Sequence, residues 1–522
     1  MGNHDIAQTW SYHDRTKHSY QSVRTNAHYL DWENHPLAFK IYKTLEPLAL
    51  PRDVVPLTMP ILDAIAALDG SRSGERVPDL RALTLLFSLS NGVTRVRTHP
   101  GGEIAFRAAA CTGALYHIEL YLVCGDLPGL EAGVYHFGAH DLGLRRLRAG
   151  DYRGTLLRAS GGEPAIAQAP AVLVCTSTYW RNAWKYQART YRHCFWDTGT
   201  ILANLLATAA GLGLPVRVVA GFVDAIVNGL LGLDAEREVA VSLVPIGRVS
   251  GPPPPPPPDR GPLALETMPI SKTEVDYPAI RAMHAASSLV SEEEAAAWRG
   301  QTPTRSMPAG RLIPLTPLGD AERPEDSIPE VILRRGSSRR FAREPITFAQ
   351  LSTMLSRATR GVPADFLAPP GVMLNDLYVI AHAVEGLPAG AYVLHREAQA
   401  LERLKEGEFR REAGYLGLEQ ALPADASVNV YFMADLNPIL ARYGNRGYRA
   451  TELEAGIIGG RLYLAAYALR LGASGLTFYD DEVTAFFSPH AAGKSTMFLV
   501  AAGRPARRAR AADGQPLLGL DG

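Results

Sequence analysis

The sequence has no surplus of charge of either sign, because Lys plus Arg and Asp plus Glu each number 53 among its 522 residues. A protein that binds nucleic acid or an anionic membrane through its surface carries a basic excess. The balance argues against both classes of partner, so we expect neither nucleic acid nor a membrane to be bound.

Cysteine is also scarce, and the four residues form no CxxC pair. They lie mostly within apolar runs, at Cys111, Cys124, Cys175 and Cys194. Few cysteines within apolar runs are typical of a protein in a reducing compartment, and their spacing is unlike that of metal ligands. The five histidines of the first 35 residues lack the spacing of metal ligands. We therefore predict a polar surface arm there and no metal site.

Long uninterrupted apolar runs are missing as well. The most apolar long segment, residues 201–231, is broken by Asn204, Pro215, Arg217 and Asp224. It fits a buried interface helix better than a membrane span. The first ten residues begin polar and contain no apolar core of signal-peptide length. We expect a cytoplasmic protein that is not exported.

Among the features that are present, residues 334–341 (RRGSSRRF) carry four arginines, two serines and a glycine just ahead of an apolar helical pattern. Guanidinium groups and small hydroxyls suit a phosphate or an anionic ring edge. A bound phosphorylated cofactor would explain these residues, and so would a solvated basic turn before a helix. The octapeptide alone leaves both interpretations open.

The length favours two or three domains. Seven consecutive prolines at residues 252–258 predict a stiff spacer between units, and a ligand for an SH3-type domain is the alternative for this segment. We predict the following division: an N-terminal wrapping arm at 1–60, a first domain at 61–250, a proline-rich linker and second arm at 251–325, and a second domain at 326–522.

Hydrophobic periodicity predicts helices over residues 80–93 and 189–214, the second stopped by Gly213 and Pro215. Short aromatic and aliphatic runs predict strands. These are at residues 115–123, 172–175 and 497–502, with a hairpin beginning near 133–136. The mixture predicts an α+β fold.

The sequence matches itself at a constant offset of 257 residues. The matched positions include Lys185-Tyr186 with Arg442-Tyr443, Tyr191-Arg192 with Tyr448-Arg449, Asp197 with Glu454, Gly199 with Gly456, and Asp224 with Asp481. A single register over so long a stretch indicates a tandem duplication. We therefore expect two like domains packed as an internal pseudo-dimer.

The two copies differ where chemistry is expected. The second copy carries RRGSSRRF, whereas the first has only the sparser GSRSGER at residues 70–76. Conversely, residues 107–116 (RAAACTGALY) form a small-residue turn entering a strand in the first copy, and the second has the altered LAPPGVM at 367–373. Each half has kept a different part, which predicts one composite site.

Two further motifs are rejected. Residues 493–496 (GKST) look like the end of a P-loop, but Ser488 stands where the leading glycine belongs. The basic tail at 504–510 (RPARRAR) is more simply a cofactor clamp and solvated end than a nucleic-acid site. No GxGxxG fingerprint follows a predicted strand, so we expect no nicotinamide bound in the Rossmann manner.

Together these residues resemble the nitroreductase-like flavoproteins, and especially the SagB-type (ThcOx-type) azoline dehydrogenases of ribosomal peptide biosynthesis. The family's Arg-x-Ser-x-Arg-x-Phe stretch is matched by Arg335, Ser337, Arg339 and Phe341. Its PSAGALYP-like turn is matched by residues 110–117 (ACTGALYH), which replace the proline and serine by alanine and cysteine. The family's Lys-Tyr pair and arm are matched by Lys185-Tyr186 and by residues 20–36.

The resemblance implies two tandem nitroreductase-like domains of α+β fold, packed as an internal pseudo-dimer with FMN at the interface. It implies that the second half holds FMN through Arg335, Ser337, Arg339, Leu476 and Thr477, with Arg504, Arg507 or Arg508. It implies that the first half closes over the flavin with Cys111, Thr112, Gly113 and Ala114. An arginine beside the N1 and O2 edge would stabilise the reduced anion.

In that family a Lys-Tyr pair serves proton transfer while a hydride passes from a substrate carbon to flavin N5. We therefore predict Lys185 as the general base and Tyr186 as its partner. The lysine needs desolvation to act near neutral pH. Without the resemblance, such a pair on a helix is more often a surface lysine beside a packed ring.

Three functions follow from these observations. The first is an FMN-dependent oxidation of azoline rings to azoles in a ribosomally made peptide, with a cyclodehydratase as partner. The second is an NAD(P)H-dependent reduction of small nitro or quinone compounds. The third is a decayed flavoprotein that acts as a scaffold in a peptide-modifying complex. The sequence leaves open the substrate and whether the pseudo-dimer is monomeric or dimeric.

Overall fold

The computed structural model describes residues 2–68, 74–99, 102–251, 261–300, 302–303 and 310–506. The seven-proline segment and most of the GSRSGER segment, with Arg507 and Arg508, lie outside the described residues. Among the described residues, no helix combines the length and hydropathy needed to cross a membrane.

The described strands fall into two large antiparallel sheets and two short two-stranded ones. The strands are β1 Leu48–Ala49, β2 Val93–His99, β3 Gly102–Arg107, β4 Ile118–Cys124, β5 Gly133–Gly138, β6 Gly143–Ala149, β7 Ala171–Thr178, β8 Glu238–Ile246, β9 Leu312–Pro314, β10 Ile346–Thr347, β11 Asp376–Ala381, β12 Val384–Glu385, β13 Gly390–His395, β14 Ala400–Glu406, β15 Val428–Ala434, β16 Gly472–Gly475 and β17 Ser495–Gly503.

Helices cover the faces of these sheets. The helices are α1 Ala7–Arg15, α2 Tyr20–Thr25, α3 Ile61–Ala64, α4 Leu80–Asn91, α5 Arg153–Ala159, α6 Pro164–Gln168, α7 Tyr179–Tyr186, α8 Thr190–Leu212, α9 Asp224–Leu231, α10 Pro278–Ala286, α11 Glu292–Trp298, α12 Ile328–Arg334, α13 Phe348–Ala358, α14 Arg410–Leu416, α15 Ala421–Asp425, α16 Leu436–Tyr443, α17 Arg446–Ala468 and α18 Asp480–Phe487.

The two large sheets share one strand order, which confirms the predicted α+β fold and duplication. The first runs β1-β6-β5-β4-β7-β8, and the second runs β9-β14-β13-β11-β15-β17 with β16 added at its edge. The predicted long helix and central strands are also confirmed. α8 ends at Gly213, whose φ of 67° places it in the left-handed region that glycine adopts readily.

The halves meet where α8 crosses α17. Gly199 and Gly456 occupy equivalent positions at this crossing, and a Cβ on Gly199 would lie 2.5 Å from the carbonyl carbon of Gly456. Neither helix could carry a side chain there without separating the backbones. The equivalence of the two glycines places the approximate two-fold axis of the pseudo-dimer at this contact.

A buried carboxylate at the start of α9 joins the first half to the second. Asp224 Oδ2 lies 2.6 Å from Arg446, and Asp224 Oδ1 lies 2.6 Å from Arg449, both on α17. Although burial alone raises the pKa of Asp224, the two guanidinium groups lower it to about 2. The carboxylate therefore stays ionised and holds the halves together.

The reciprocal contact uses Asp480 at the start of α18. Asp480 pairs with Arg189 at 3.0 Å and with Arg192 at 2.6 Å, both in the first half. The sequence match of Asp224 with Asp481 is therefore wrong by one residue. Asp481 is exposed and pairs with Lys17 instead. The error arises because the offset between equivalent residues of the two halves falls from 257 to 256 before α18.

The two arms also repeat, which the sequence comparison missed. α1 and α10 are both nine residues long and are related by an offset of 271. His13 contacts the Tyr448 hydroxyl at 3.1 Å, and His284 contacts the equivalent Tyr191 hydroxyl at 3.4 Å. The arm repeat stands 14 residues out of register with the domain repeat (271 against 257), so a fixed offset could not find it.

Candidate functional site

The arginine-serine stretch leaves the C-terminal end of α12 and runs beside β16. The Ser338 amide donates to the Ala473 carbonyl at 2.9 Å, and Phe341 forms a bridge with Pro505. Arg335 turns across the interface, and its Nε and Nη2 donate to the carbonyls of Ala108 and Arg107 at 2.9 and 3.0 Å. The second half's arginine is thereby fixed to the first half's chain at the end of β3.

The small-residue turn that follows β3 is held by Asp197 on α8. The Thr112 amide lies 3.0 Å from each Asp197 oxygen, and the Thr112 hydroxyl donates to Oδ1 at 2.8 Å. His117 Nε2 lies 2.8 Å from Oδ2. A carboxylate that accepts several hydrogen bonds fixes the loop that supplies them. The sequence match paired Asp197 with Glu454 but did not predict that Asp197 contacts this turn.

Cys111 packs beneath the same turn as a neutral thiol. Its Sγ donates to Asp197 Oδ2 at 3.1 Å and accepts from the Tyr116 amide at 3.1 Å. Burial, followed by the negative charge of Asp197, raises the pKa of Cys111 well above its usual value. The sulfur therefore supports the turn and is not poised as a nucleophile.

Tyr186 closes over the outer side of the turn. Gly113 has a φ of 66°, and a Cβ there would lie 2.9 Å from the Tyr186 hydroxyl. No described residue forms a hydrogen bond to that hydroxyl. Burial, then Asp197, raises the pKa of Tyr186 above its usual value, so the phenol stays protonated. Gly113 thus gives the tyrosine ring the space to approach the backbone.

Lys185 is the last basic residue of α7 and lies exposed beside this ring. Its Nζ is 5.4 Å from the centroid of the Tyr186 ring. Partial burial and then the charge of Arg339 lower the pKa of Lys185. Arg339 comes from the other half, so the second half's arginine stretch lies close to the first half's Lys-Tyr pair.

A third arginine joins this cationic surface, and sequence reasoning missed it. Burial lowers the pKa of Arg335, three neighbouring tyrosines raise it, and the charge of Arg95 on the β2–β3 hairpin lowers it further. Within the described ranges, no carboxylate pairs with Arg95, Arg335 or Arg339. Arginines without a counter-charge have the chemistry that suits an anion. The alternating TRVR pattern around Arg95 was the only sequence signal.

The opposite wall is built by α17 and the end of β16. The Ser337 hydroxyl lies 3.4 Å from the Tyr463 hydroxyl, which also accepts a hydrogen bond from the Gly475 amide. Leu476 is tied to the sheet by its amide, which donates to the Leu499 carbonyl at 3.0 Å. The Thr477 hydroxyl is buried without a hydrogen-bond partner among the described residues.

The predicted C-terminal clamp is only partly described. Arg504 is exposed, with Nε donating to the Pro345 carbonyl at 3.0 Å and lying 3.9 Å from Glu344. No described contact joins Arg504 to Arg335 or Ser337. Arg507 and Arg508 lie outside the described residues.

The mirror-image position is filled by the second half's own chain. Val218 pairs with Ala364, and the Asp365 carboxylate accepts from the amides of Ala220 and Gly221 at 2.9 and 2.8 Å. The cavity left beside this segment measures about 270 Å³, below the roughly 300–1,000 Å³ of most ligand pockets.

The second half's counterpart of the Lys-Tyr pair is also committed to structure. The Tyr443 hydroxyl donates to the carbonyls of Phe366 and Gly300 at 2.9 and 3.1 Å. Arg442 donates to the Arg299 carbonyl at 2.8 Å. These contacts contrast with those of Tyr186, whose hydroxyl has no described partner. The two faces of the pseudo-dimer are therefore unlike.

Comparison with curated proteins gives relatives of two kinds. A protein of Methanocaldococcus jannaschii described as a nitroreductase is 28% identical over 32% of this chain and 80% of its own. The trifolitoxin-processing protein TfxB of Rhizobium leguminosarum bv. trifolii is 32% identical over 32% of this chain and 47% of its own. The microcin B17-processing protein McbC of Escherichia coli is 31% identical over 25% of this chain and 50% of its own. This chain spans about half the length of TfxB and McbC.

Among solved structures, a protein from Anabaena variabilis described as a nitroreductase matches with a TM-score of 0.74 and 25% identity. The match covers 95% of this chain and 99% of that one, so it extends across both halves. The model of the nitroreductase family matches twice, at residues 133–248 and 332–500. These two segments make up more than half of the sequence, one in each copy, and the chain belongs to the nitroreductase family.

Proposed function

We propose that this chain is an FMN-dependent oxidoreductase with one flavin site, built from the arginine-serine stretch of the second half and the small-residue turn of the first. The observation that carries the proposal is the cationic surface of Arg95, Arg335 and Arg339, which has no carboxylate partner among the described residues. A phosphate supplies the missing charge, since arginine binds its oxygens in pairs.

The remaining groups fit the rest of an FMN molecule. The buried Thr477 hydroxyl is an unsatisfied donor beside β16, and leaving such a group unpaired costs about 1–3 kcal/mol. The mirror position lacks this combination, because Tyr443 and Asp365 are already hydrogen-bonded there.

For the substrate, we propose azoline rings in a ribosomally made peptide, which are oxidised to azoles. Support comes from TfxB and McbC, whose names describe them as processing trifolitoxin and microcin B17. A cyclodehydratase that makes the azoline is the corresponding partner. A bound flavin supplies the hydride acceptor for this reaction.

The residues of the first half then handle the proton. Ring oxidation removes a hydride and a proton from adjacent atoms, and Lys185 takes the proton as general base. Its partial burial and the nearby Arg339 lower its pKa, which is the direction that a lysine general base needs. Tyr186 keeps its proton and donates a hydrogen bond that orients the ring. The exposure of Lys185 leaves room for a peptide at the site.

A second function is favoured by the M. jannaschii and A. variabilis proteins, both described as nitroreductases. In that case NAD(P)H would be the reductant and a nitro or quinone compound the oxidant, and a bound flavin would supply the hydride chemistry between them.

One set of measurements tests the proposals. The purified chain should carry one FMN, quantified after denaturation against protein concentration. An azoline peptide should bleach the flavin anaerobically and lose the mass of two hydrogens per ring. Rapid bleaching by NAD(P)H without peptide would favour the reductase. A protein that binds no flavin after reconstitution would be the scaffold, and two flavins per chain would contradict a single composite site.

A further inference from the structure

Three potential metal ligands converge on one face of the second sheet, away from the arginine-rich interface. His395 lies on β13, Glu402 lies on β14, and His490 lies in the loop between α18 and β17. In the strand register His395 is opposite Ala400, and Val393 is opposite Glu402. Because alternate residues share a face, His395 and Glu402 are diagonal neighbours on the same side of the sheet.

The geometry brings their ligand atoms together. His395 Nε2 lies 2.6 Å from Glu402 Oε2, and one ligand atom from each of the three residues lies within 4.8 Å of the other two. Two ligand atoms of a tetrahedral zinc ion lie about 3.4 Å apart. Closing a separation of up to 4.8 Å takes side-chain movements of about 1–1.5 Å.

A neighbouring tyrosine orients the third ligand. Tyr378 faces the same side of the sheet, and its hydroxyl lies 2.9 Å from His490 Nδ1. This contact leaves Nε2 of His490 to bind an ion, and no described residue forms a hydrogen bond to it. Metal-bound histidines commonly use their second nitrogen in this way.

We propose that His395, Glu402 and His490 bind a divalent transition-metal ion, with Zn²⁺ as the probe. Two imidazoles and a carboxylate are a known zinc set that leaves a fourth position for water. The ion clips the loop between α18 and β17 onto the sheet. The charged groups facing the cluster are Lys494 and Asp376, which pair with each other at 2.6 Å and so add little net charge.

Both histidines keep part of their surface exposed, and 14% of the His395 side chain is accessible, so an ion can reach them. Sequence reasoning predicted no metal site, because the ligands come from three separate segments and show no short spacing.

The first half provides an internal comparison. The positions equivalent to His395 and Glu402 at the offset of 257 are Gly138 and Arg145. Arg145 pairs with Asp141 there instead. The ligand set is thus specific to the second half.

One other described cluster competes as a metal site, formed by Cys111, His117 and Asp197. Its members are bound to one another and to Ser177 and Thr112 by hydrogen bonds. Burial also keeps the Cys111 thiol protonated, whereas metals bind the thiolate. This cluster is better explained as the support of the small-residue turn.

The test titrates the untagged full-length chain with Zn²⁺ against a fluorescent chelator and measures bound zinc after dialysis. We expect one ion per chain, and a loss of affinity of at least about 100-fold in His490→Ala and in Glu402→Gln. The control His140→Ala removes a half-buried histidine beside Asp141 on the first half and should leave zinc binding unchanged.

Several outcomes would overturn the proposal. These are zinc binding that persists in the double variant His395→Ala/His490→Ala, binding abolished by Cys111→Ser instead, or no ion retained by the wild type. Circular dichroism and melting without zinc show whether each variant is folded. Flavin content is a separate readout, so a failed zinc result and a failed flavin assignment remain distinguishable.

Discussion

The sharpest test of the composite site is the replacement of Arg335 by alanine. This guanidinium belongs to the second half, but two of its three described hydrogen bonds reach the carbonyls of Arg107 and Ala108 in the first, and the third reaches the Gly336 carbonyl. Burial lowers its pKa, and no described carboxylate compensates for the charge. The side chain therefore has two separable roles, as a tie between the halves and as a phosphate ligand.

The two roles carry different magnitudes. A hydrogen bond from a charged donor contributes about 1.5–3 kcal/mol, so losing one to the flavin phosphate weakens FMN binding by about 10- to 150-fold. The two bonds to backbone carbonyls come from the same charged donor and together contribute about 3–6 kcal/mol to stability. Arg339 is exposed and forms no described hydrogen bond, so Arg339→Ala should weaken FMN binding about tenfold and leave the unfolding free energy unchanged.

FMN dissociation is measured by recovery of flavin fluorescence. Stability is measured by urea unfolding of the apoprotein, because bound FMN would itself add to the free energy of unfolding. Arg335→Lys retains the charge but not the paired donors, and it should restore flavin binding only partly. Arg76→Ala is the matched control. Arg76 occupies the corresponding region of the first half, where its side chain donates to its neighbour Glu75, and we expect no change in FMN binding.

The reasoning is refuted if Arg335→Ala lowers stability while FMN affinity stays at the wild-type value. Arg335 would then be a tie between the halves alone. Equal loss of flavin in Arg76→Ala and Arg335→Ala would instead require two flavin sites of similar construction.

Three other predictions concern separate contacts. Lys185→Ala should keep the flavin spectrum but abolish peptide turnover. Wild-type turnover should rise as the pH increases through the lowered pKa of Lys185, because the neutral amine is the base. Measuring the turnover rate against pH for both proteins checks these expectations. Gly113→Ala places a methyl group 2.9 Å from the Tyr186 hydroxyl at a residue with positive φ, and it should lower the free energy of unfolding by about 1–3 kcal/mol. The control Gly229→Ala, inside α9, meets no atom within 4 Å and should leave stability unchanged or raise it. Urea unfolding measures both. Asp224→Asn leaves two buried guanidinium groups without a counter-charge and should lower the free energy of unfolding by about 3–5 kcal/mol. Because the pKa of Asp224 in the folded protein is lowered to about 2, its stabilisation of the wild type is complete above about pH 4 and is lost as the pH falls toward 2. Acid unfolding of the wild type and of Asp224→Asn measures this difference.

The sequence was sufficient for the fold because the duplication left matching residues at fixed spacing. Gly199 and Gly456 pair at the offset of 257 in the sequence alone, and they lie at the crossing of α8 and α17. Hydrophobic periodicity located α8 to within two residues at its C-terminal end. These features depend on local pattern and on one register, both of which a single sequence contains.

Other features depend on contacts between distant segments and could not be predicted. The charge of Arg95 acts on Arg335 only because the β2–β3 hairpin extends toward the second half. Asp480, and not Asp481, pairs with Arg192, because an insertion shifts the register and two adjacent aspartates look alike in sequence. Which polar and charged side chains lack a hydrogen-bond or ion-pair partner likewise depends on how distant segments pack.

The single chain explains how the two faces could become unlike. In a symmetric homodimer every substitution appears at both interface sites, so a change that fills one site also fills the other. Here Asp365 occupies the mirror position through the amides of Ala220 and Gly221, while Arg335 and the turn at Gly113 stay as they are on the opposite face. Joining the halves by a linker lets one face become a structural contact without loss of the other. The reciprocal ion pairs of Asp224 and Asp480 each join one half to the other, whichever face binds the cofactor.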